Sequence, residues 1–372
     1  MINIPLSKPI IGKEEKHEVM KVMDSAILAQ GRKVLELEKK FSSMCGSKYS
    51  LAINNGTAAL HTALYAVGIG VGDEVITTPF TFVATANSIL MCGAKPVFVD
   101  IDEKTYNIDP DKIEPAITKK TKAILVVNLY GLPADYDRIV RIARKHNLLI
   151  VEDAAQSVGA KYKNKISGNL ADISCFSLYA TKNIMSGEGG MITTNSKKYY
   201  EKAKLFRHHG QDQNKRYYYS GLGYNYRMTD IQAAIALVQL KRLPWITEKR
   251  QQNAKIYSNS LVKHNNLITP YIPPDRTHVY HQYTIRFDNQ SPITRKRFQD
   301  YLNKLGIQTN IYYPVPLYKF RHLTNNAKIE DFPVTEKLVK QVVSLPIHPL
   351  LKKEEITYIV KAIQTFSSSN NL

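Results

Sequence analysis

At 372 residues, 44% hydrophobic and 22% charged, the chain has a soluble globular composition and is too long for one small core, which suits two domains of unequal size. Its net charge of +19 is spread along the whole length with no helix-turn-helix, zinc-finger or RNA-binding signature, so it reads as a solvated surface suited to an anionic substrate, not to nucleic acid. No apolar run approaches the roughly 18–20 residues of a membrane span, no secretory signal opens the chain, and three cysteines without paired spacing offer neither a zinc site nor a disulfide framework. These features predict a cytoplasmic protein with no metal and no membrane partner.

Residues 13–25 and 32–44 read as amphipathic helices, the second carrying Val34, Leu35, Leu37 and Phe41 on one stripe. Tyr49 to Ile53 is a short apolar strand that turns through Asn54, Asn55, Gly56 and Thr57 into a helix with Leu60, Ala63, Leu64 and Val67 on a buried face. A strand that turns through glycine into a helix presents free N–H groups and a positive dipole end, which suits a phosphate, although ordinary capping by Asn or Thr explains the same residues. The glycines at 68, 70 and 72 follow a helix and precede a strand, the reverse of a dinucleotide fingerprint, and mark a turn. Further strands are predicted at Glu74 to Thr77, Pro96 to Asp100, Ala123 to Leu129 and Leu148 to Val151, with helices through Ala94 and from Ala134 to His146 between them.

The stretch from Ile173 to Asn195 is the most unusual in the chain. An apolar strand, Ile173 to Leu178, leads to Lys182, then to Gly187, Gly189 and Gly190, then to a second strand, Met191 to Thr194. Glycines admit close backbone approach to a ligand, and a lysine desolvated beside them loses basicity and becomes a nucleophile. Beyond it, a long helical region from Asp230 to about Leu261 is interrupted by Pro244; a strand from Tyr280 to Phe287 and helices at 294–305 and 353–365 form the remainder. The alternation predicts an α/β fold with a mostly parallel sheet covered on both faces, residues 1–250 forming a large domain and 251–372 a small α+β domain. The N-terminal segment is free to pack on the small domain. In such sheets ligands sit at the carboxyl ends of the strands, where Gly56, Thr57, Asp153, Gln156 and Lys182 all fall.

Pyridoxal phosphate needs a lysine for its aldehyde, an acid for its ring nitrogen, donors for its phosphate and a flat apolar surface for its ring. Lys182 and Asp153 can supply the first two, Gly56, Thr57 and Ser177 the phosphate contacts, and Phe82 the stacking face. Once freed, the Lys182 amine can also serve as general base and acid.

The stretches NNGTAALHTAL (54–64), GDEVITTPFTFVATAN (72–87), PVFVDID (96–102), EDAAQSVGA (152–160), FSLYATKNIMSGEGGMITT (176–194) and GYNYRMTDIQAAIALVQL (223–240) resemble the DegT/DnrJ/StrS family of PLP-dependent sugar aminotransferases, of aspartate-aminotransferase fold type I. The match is thinner at YYPVPLY (312–318) and SLPIHP (344–349). The resemblance implies Lys182 as the Schiff-base lysine, Asp153 as the ring-nitrogen partner, Gln156 beside the ring hydroxyl and Phe82 on the ring face. It implies phosphate contacts at Gly56, Thr57 and Ser177, and a further one at Asn225 reaching in from a neighbouring subunit, hence an obligate homodimer. Arg227, His208, Tyr312 and Tyr313 lie in stretches that border the substrate pocket in relatives. A lysine at 182, where a dehydrating branch has histidine, argues for transamination. The expected reaction moves an amino group from an amino acid, L-glutamate, to a 3- or 4-keto group on a nucleotide-linked hexose. Amination of a non-nucleotide ketone such as a keto-cyclitol is the alternative enzyme reading, and a non-catalytic regulatory or nucleic-acid-binding protein is the alternative from another class.

Overall fold

Seven strands build the central sheet of the computed structural model, which describes residues 3–212, 215, 217–262, 267–288, 292–323 and 328–369. They are β1 (Tyr49–Ile53), β2 (Glu74–Thr77), β3 (Lys95–Phe98), β4 (Thr121–Val127), β5 (Leu149–Asp153), β6 (Ile173–Ser177) and β7 (Gly190–Thr194), in the spatial order β1-β7-β6-β5-β4-β2-β3. The pairs from β3 through β6 are parallel; β7 runs antiparallel to both β6 and β1. The sheet is buried on both faces, and β4 shows why its sequence is continuously apolar from Ala123 to Val127. Ala123 and Leu125 join the core that also contains Ala59 and Leu64 of helix α3 (Gly56–Val67). The intervening Ile124 and Val126 join another with Tyr136, Ile139 and Ala143 of the helix at Tyr136–Lys145. Register places Asp153 opposite Val127 on one side and Cys175 on the other, at the carboxyl end of the sheet's middle strands.

Helix α1 (Lys13–Ser25) and helix α2 (Arg32–Cys45) precede the sheet. Gly31, at the start of α2, has no side chain to cap it. Asp230 supplies the cap from afar, its carboxylate accepting the N–H groups of Gly31 (2.8 Å), Lys33 (3.1 Å) and Val34 (3.2 Å). Asp230 itself opens a helix that runs to Leu261 without a break. The expected interruption at Pro244 does not occur. Proline removes one N–H and crowds the preceding turn, but Leu243 and Ile246 on either side are buried in a core with α2 and β7 residues, and that packing outweighs the lost bond.

The C-terminal part carries a three-stranded antiparallel sheet of Leu267–Ile268, Tyr283–Phe287 and Val342–Leu345, with helices at Pro292–Lys304, Pro333–Gln341 and Lys353–Ser369. The first and last strands and the helix at 333–341 are additions to the sequence reading, and the strand expected from Tyr280 begins at Tyr283. One core joins Ile4 to Ala254, Tyr257, Tyr283, Phe298, Ile363 and Phe366. Ile4 also forms a parallel bridge with Ile307. The tail after residue 369 lies outside the described residues.

Candidate active site

The carboxyl ends of β1, β5 and β6 meet over a cleft. Gly56 opens α3 behind Asn55, whose side chain caps the helix by accepting the Ala58 N–H at 2.8 Å. That leaves the N–H groups of Gly56 and Thr57 without a partner among the described residues, at the positive end of the helix dipole. Ser177, the last residue of β6, faces them: a Cβ on Gly56 would lie 2.8 Å from the Ser177 Cβ, so only glycine lets the helix start come this close. Gly190 serves the same approach from β7, because a Cβ there would sit 2.5 Å from the Asn55 carbonyl oxygen.

Asp153 is 5% exposed. Its Oδ2 accepts from the Thr85 hydroxyl at 2.8 Å and its Oδ1 from the Ala155 N–H at 3.2 Å. Burial pushes its carboxyl above the usual range, opposed by these two donors and by the charge of Lys182. No ion pair joins it to any described cation. Lys182 is half-buried in the turn after β6, its N–H held by the Tyr179 carbonyl at 2.9 Å. Desolvation pushes its amine down to about 8, with Asp153 pulling the other way. Its neighbour Asn183 ties the turn to the C-terminal part, donating to the Val279 carbonyl (3.0 Å) and meeting His281 Nδ1 (3.3 Å).

Gln156 is buried, its Oε1 accepting from the Tyr130 N–H at 2.8 Å and its Nε2 donating to the Tyr313 hydroxyl at 3.3 Å. Tyr313 in turn stands 6.2 Å from Phe82, ring to ring, and Phe82 is 56% exposed, which leaves its ring face open to a flat group. Asp153, Gln156, Phe82 and Tyr313 are thus linked directly or through one neighbour, and Gly56, Thr57 and Ser177 gather at the adjacent helix start. Asn225 stands apart: it is exposed and bridges His208, with no hydrogen bond into the cleft among the described residues. Arg227 is engaged with His208 Nδ1 at 2.8 Å. Thr85 and Tyr130 were not anticipated. Thr85 lies three residues beyond Phe82, and nothing in its local sequence tells that its hydroxyl meets a strand end 68 residues later.

The arrangement fits pyridoxal phosphate on grounds internal to the structure. A buried carboxylate without an ion pair calls for a cationic partner, which a protonated ring nitrogen is. Two unpartnered amides at a helix start beside two hydroxyls suit a phosphate. A lysine of lowered basicity suits an aldehyde. No grouping of His, Cys, Asp and Glu among the described residues could hold a metal ion, and no described helix is long and apolar enough to cross a membrane.

Comparison with known proteins agrees with this chemistry. The profile of the DegT/DnrJ/EryC1/StrS aminotransferase family matches residues 9–364. The chain is 41% identical to the GDP-perosamine synthase of Caulobacter vibrioides, over 97% of each chain. It is 43% identical to the UDP-2-acetamido-2-deoxy-3-oxo-D-glucuronate aminotransferase of Pseudomonas aeruginosa, over 90% of each. Among solved structures, a Streptococcus pneumoniae protein in its PLP form superposes with a TM-score of 0.94 at 31% identity, over 99% of both chains.

Proposed function

Because the chain belongs to the DegT/DnrJ/EryC1/StrS aminotransferase family and is a PLP-dependent aminotransferase of fold type I, we propose that it transfers an amino group from L-glutamate to a 3- or 4-keto group on a nucleotide-linked hexose, making an amino sugar. Its enzymatic identity sets aside the non-catalytic alternative. The observation that carries the reading is the buried Asp153, in no ion pair among the described residues, whose charge acts on a Lys182 amine that burial pushes down to about 8. The names of the Caulobacter and Pseudomonas relatives support a nucleotide-sugar acceptor.

In this reading Asp153 holds the proton on the ring nitrogen, Gln156 lies against the ring's hydroxyl edge, Phe82 covers its face, and Gly56, Thr57 and Ser177 bind the phosphate. When bound, the cofactor supplies an electron sink for the pair released as the donor's Cα–H bond breaks. Lys182 would hold the aldehyde end of the group, and its amine, when neutral, would serve as the base that takes the proton from the donor's Cα. The hydrogen bond from Gln156 Nε2 to the Tyr313 hydroxyl would hold both side chains beside the ring that Phe82 covers.

The functional unit in this reading is a homodimer in which Asn225 reaches the partner's phosphate. The exposure of Asn225 and of the apolar Ile27, Leu28, Leu35 and Leu222 supports it. Residues 1–250 and 251–372 form the two domains, with Ile4 in the smaller one's core. Three free cysteines suit a reducing compartment, and the enzyme acts in the cytoplasm on small molecules, without nucleic acid or membrane partners.

The test is spectroscopic first. Purified protein should bind pyridoxal phosphate with a violet absorption band that L-glutamate converts to the amine form, and Lys182→Ala should lack the band as isolated. A panel of nucleotide-linked keto-hexoses should then regenerate the original band. Regeneration by a keto-cyclitol alone would replace the acceptor class, and no band at all would refute the mechanism.

A further inference from the structure

We propose that Thr85 is a positioning residue for the reaction, its hydroxyl fixing the Asp153 carboxylate as an anion that remains able to accept from the cofactor's ring nitrogen. The inference rests on the reading of Asp153 given above.

The proton count settles the direction of each bond. An ionised carboxylate only accepts, so in the 2.8 Å contact Thr85 donates to Asp153 Oδ2. The Thr85 oxygen has then spent its proton, and in its 3.1 Å contact with Thr81 it accepts. The two hydroxyls therefore form a directed chain, Thr81 to Thr85 to Asp153, with all three side chains buried. The chain is held from the backbone as well: the Thr85 N–H donates to the Phe82 carbonyl at 3.1 Å, and the Thr85 carbonyl accepts from the Ser88 hydroxyl at 2.9 Å. One short segment thus presents the exposed Phe82 ring to the cleft and the Thr85 hydroxyl to the acid.

Asp153 needs this help because its surroundings oppose its charge. Burial favours the neutral acid, and the titratable groups around it are Lys182, Tyr313, Cys175 and Tyr136, of which only Lys182 is cationic. Apart from Lys182, its anionic form is held by two donors, Thr85 and the Ala155 amide. Removing the hydroxyl leaves one, and a neutral Asp153 would no longer favour a protonated ring nitrogen.

Thr85→Val keeps the shape and deletes the donor, Thr85→Ser restores the donor, and Thr81→Val removes only the outer hydroxyl. Each protein is loaded with pyridoxal phosphate labelled with nitrogen-15 in the ring, and the protonation of that nitrogen is followed by NMR against pH. Thr85→Val should lower the midpoint by about one pH unit, and kcat by about tenfold, as expected for one charge-assisted hydrogen bond. KM for L-glutamate should stay within about twofold, and Thr85→Ser should recover both values. Thr81→Val should move the midpoint the same way by less, and it decides the matter if Thr85→Val does not fold. A ring nitrogen that titrates in Thr85→Val and Thr81→Val as in the wild type overturns the inference, while a shift in Asp153→Asn alone would leave the reading of Asp153 standing. Wild-type protein that binds no cofactor would overturn both.

Discussion

Replacing Asp153 with asparagine separates charge from shape at the end of β5. The carboxamide has one orientation that the surroundings accept. Its oxygen must take the Oδ1 position, because the Ala155 N–H points there from 3.2 Å and would meet an NH2 group head-on. Its nitrogen then takes the Oδ2 position and donates to Thr85, whose hydroxyl turns to donate to Thr81 instead. The hydrogen bonds among the three residues survive with their direction reversed, so the variant should fold with a melting temperature within a few degrees of the wild type. What disappears is the negative charge. Two unit charges about 4 Å apart at an effective dielectric of about 20 attract by about 4 kcal/mol. If that attraction holds the ring nitrogen protonated as the Cα–H bond breaks, its loss should slow the step roughly a thousandfold. The assay is stopped-flow absorbance of the half-reaction with L-glutamate, alongside a titration of cofactor affinity. Cofactor binding should weaken far less than the rate falls, since phosphate and ring-face contacts are untouched. A folded, cofactor-loaded Asp153→Asn that reacts within about tenfold of the wild type would refute the reasoning.

Further outcomes follow from neighbouring features. The Lys182 amine, pushed down to about 8, is mostly protonated below that pH and free above it, so the rate at which the apo-protein captures pyridoxal phosphate should rise about tenfold per unit up to pH 8 and then level; a midpoint near that of an ordinary lysine would count against a desolvated amine. Gly56→Ala places a Cβ 2.8 Å from that of Ser177, and the resulting displacement should raise the cofactor dissociation constant about tenfold or more in an absorbance titration. Asp230→Ala strips three N–H groups of their acceptor at the start of α2 and should destabilise the protein by about 2 kcal/mol in urea unfolding. Mixing Lys182→Ala with Asn225→Ala under conditions that exchange subunits should restore about a quarter of wild-type activity, because half the dimers formed at random carry one intact site; no recovery would show that Asn225 does not act across an interface.

Much of this architecture was legible because buried parallel strands leave a plain mark. β4, with both faces covered from Ala123 to Val127, reads there as an uninterrupted apolar run, and β1 turning through Gly56 into an amphipathic helix announces a strand-to-helix junction. Lys182 and Asp153 stood out through residue type and position at strand ends. The misreadings have local causes. Pro244 is a helix breaker by its own chemistry, and only the burial of Leu243 and Ile246, contributed by distant segments, overrides it. A strand of two residues, Leu267–Ile268, is too short to show a period. Thr85 escaped notice because a threonine near the start of a helix has an ordinary capping explanation, and its partner is set by the packing of α4 (Ala84–Met91) against the sheet.

The core that unites Ile4 with Ile363 and Phe366 has a consequence for how the protein is made. A ribosome releases Gly56, Asp153, Ser177 and Lys182 long before it reaches the helix at Lys353–Ser369, so the chain can close the sheet around its cleft while Ile4 is still unattached. Ile4 must wait, tethered and apolar, until Ile307 and then Phe366 have emerged and can receive it. Ile4 and the helix at Lys353–Ser369 are thus among the last parts to meet. Replacing Ile4 or Phe366 with a polar residue should leave the site residues in place while weakening the core that joins these segments.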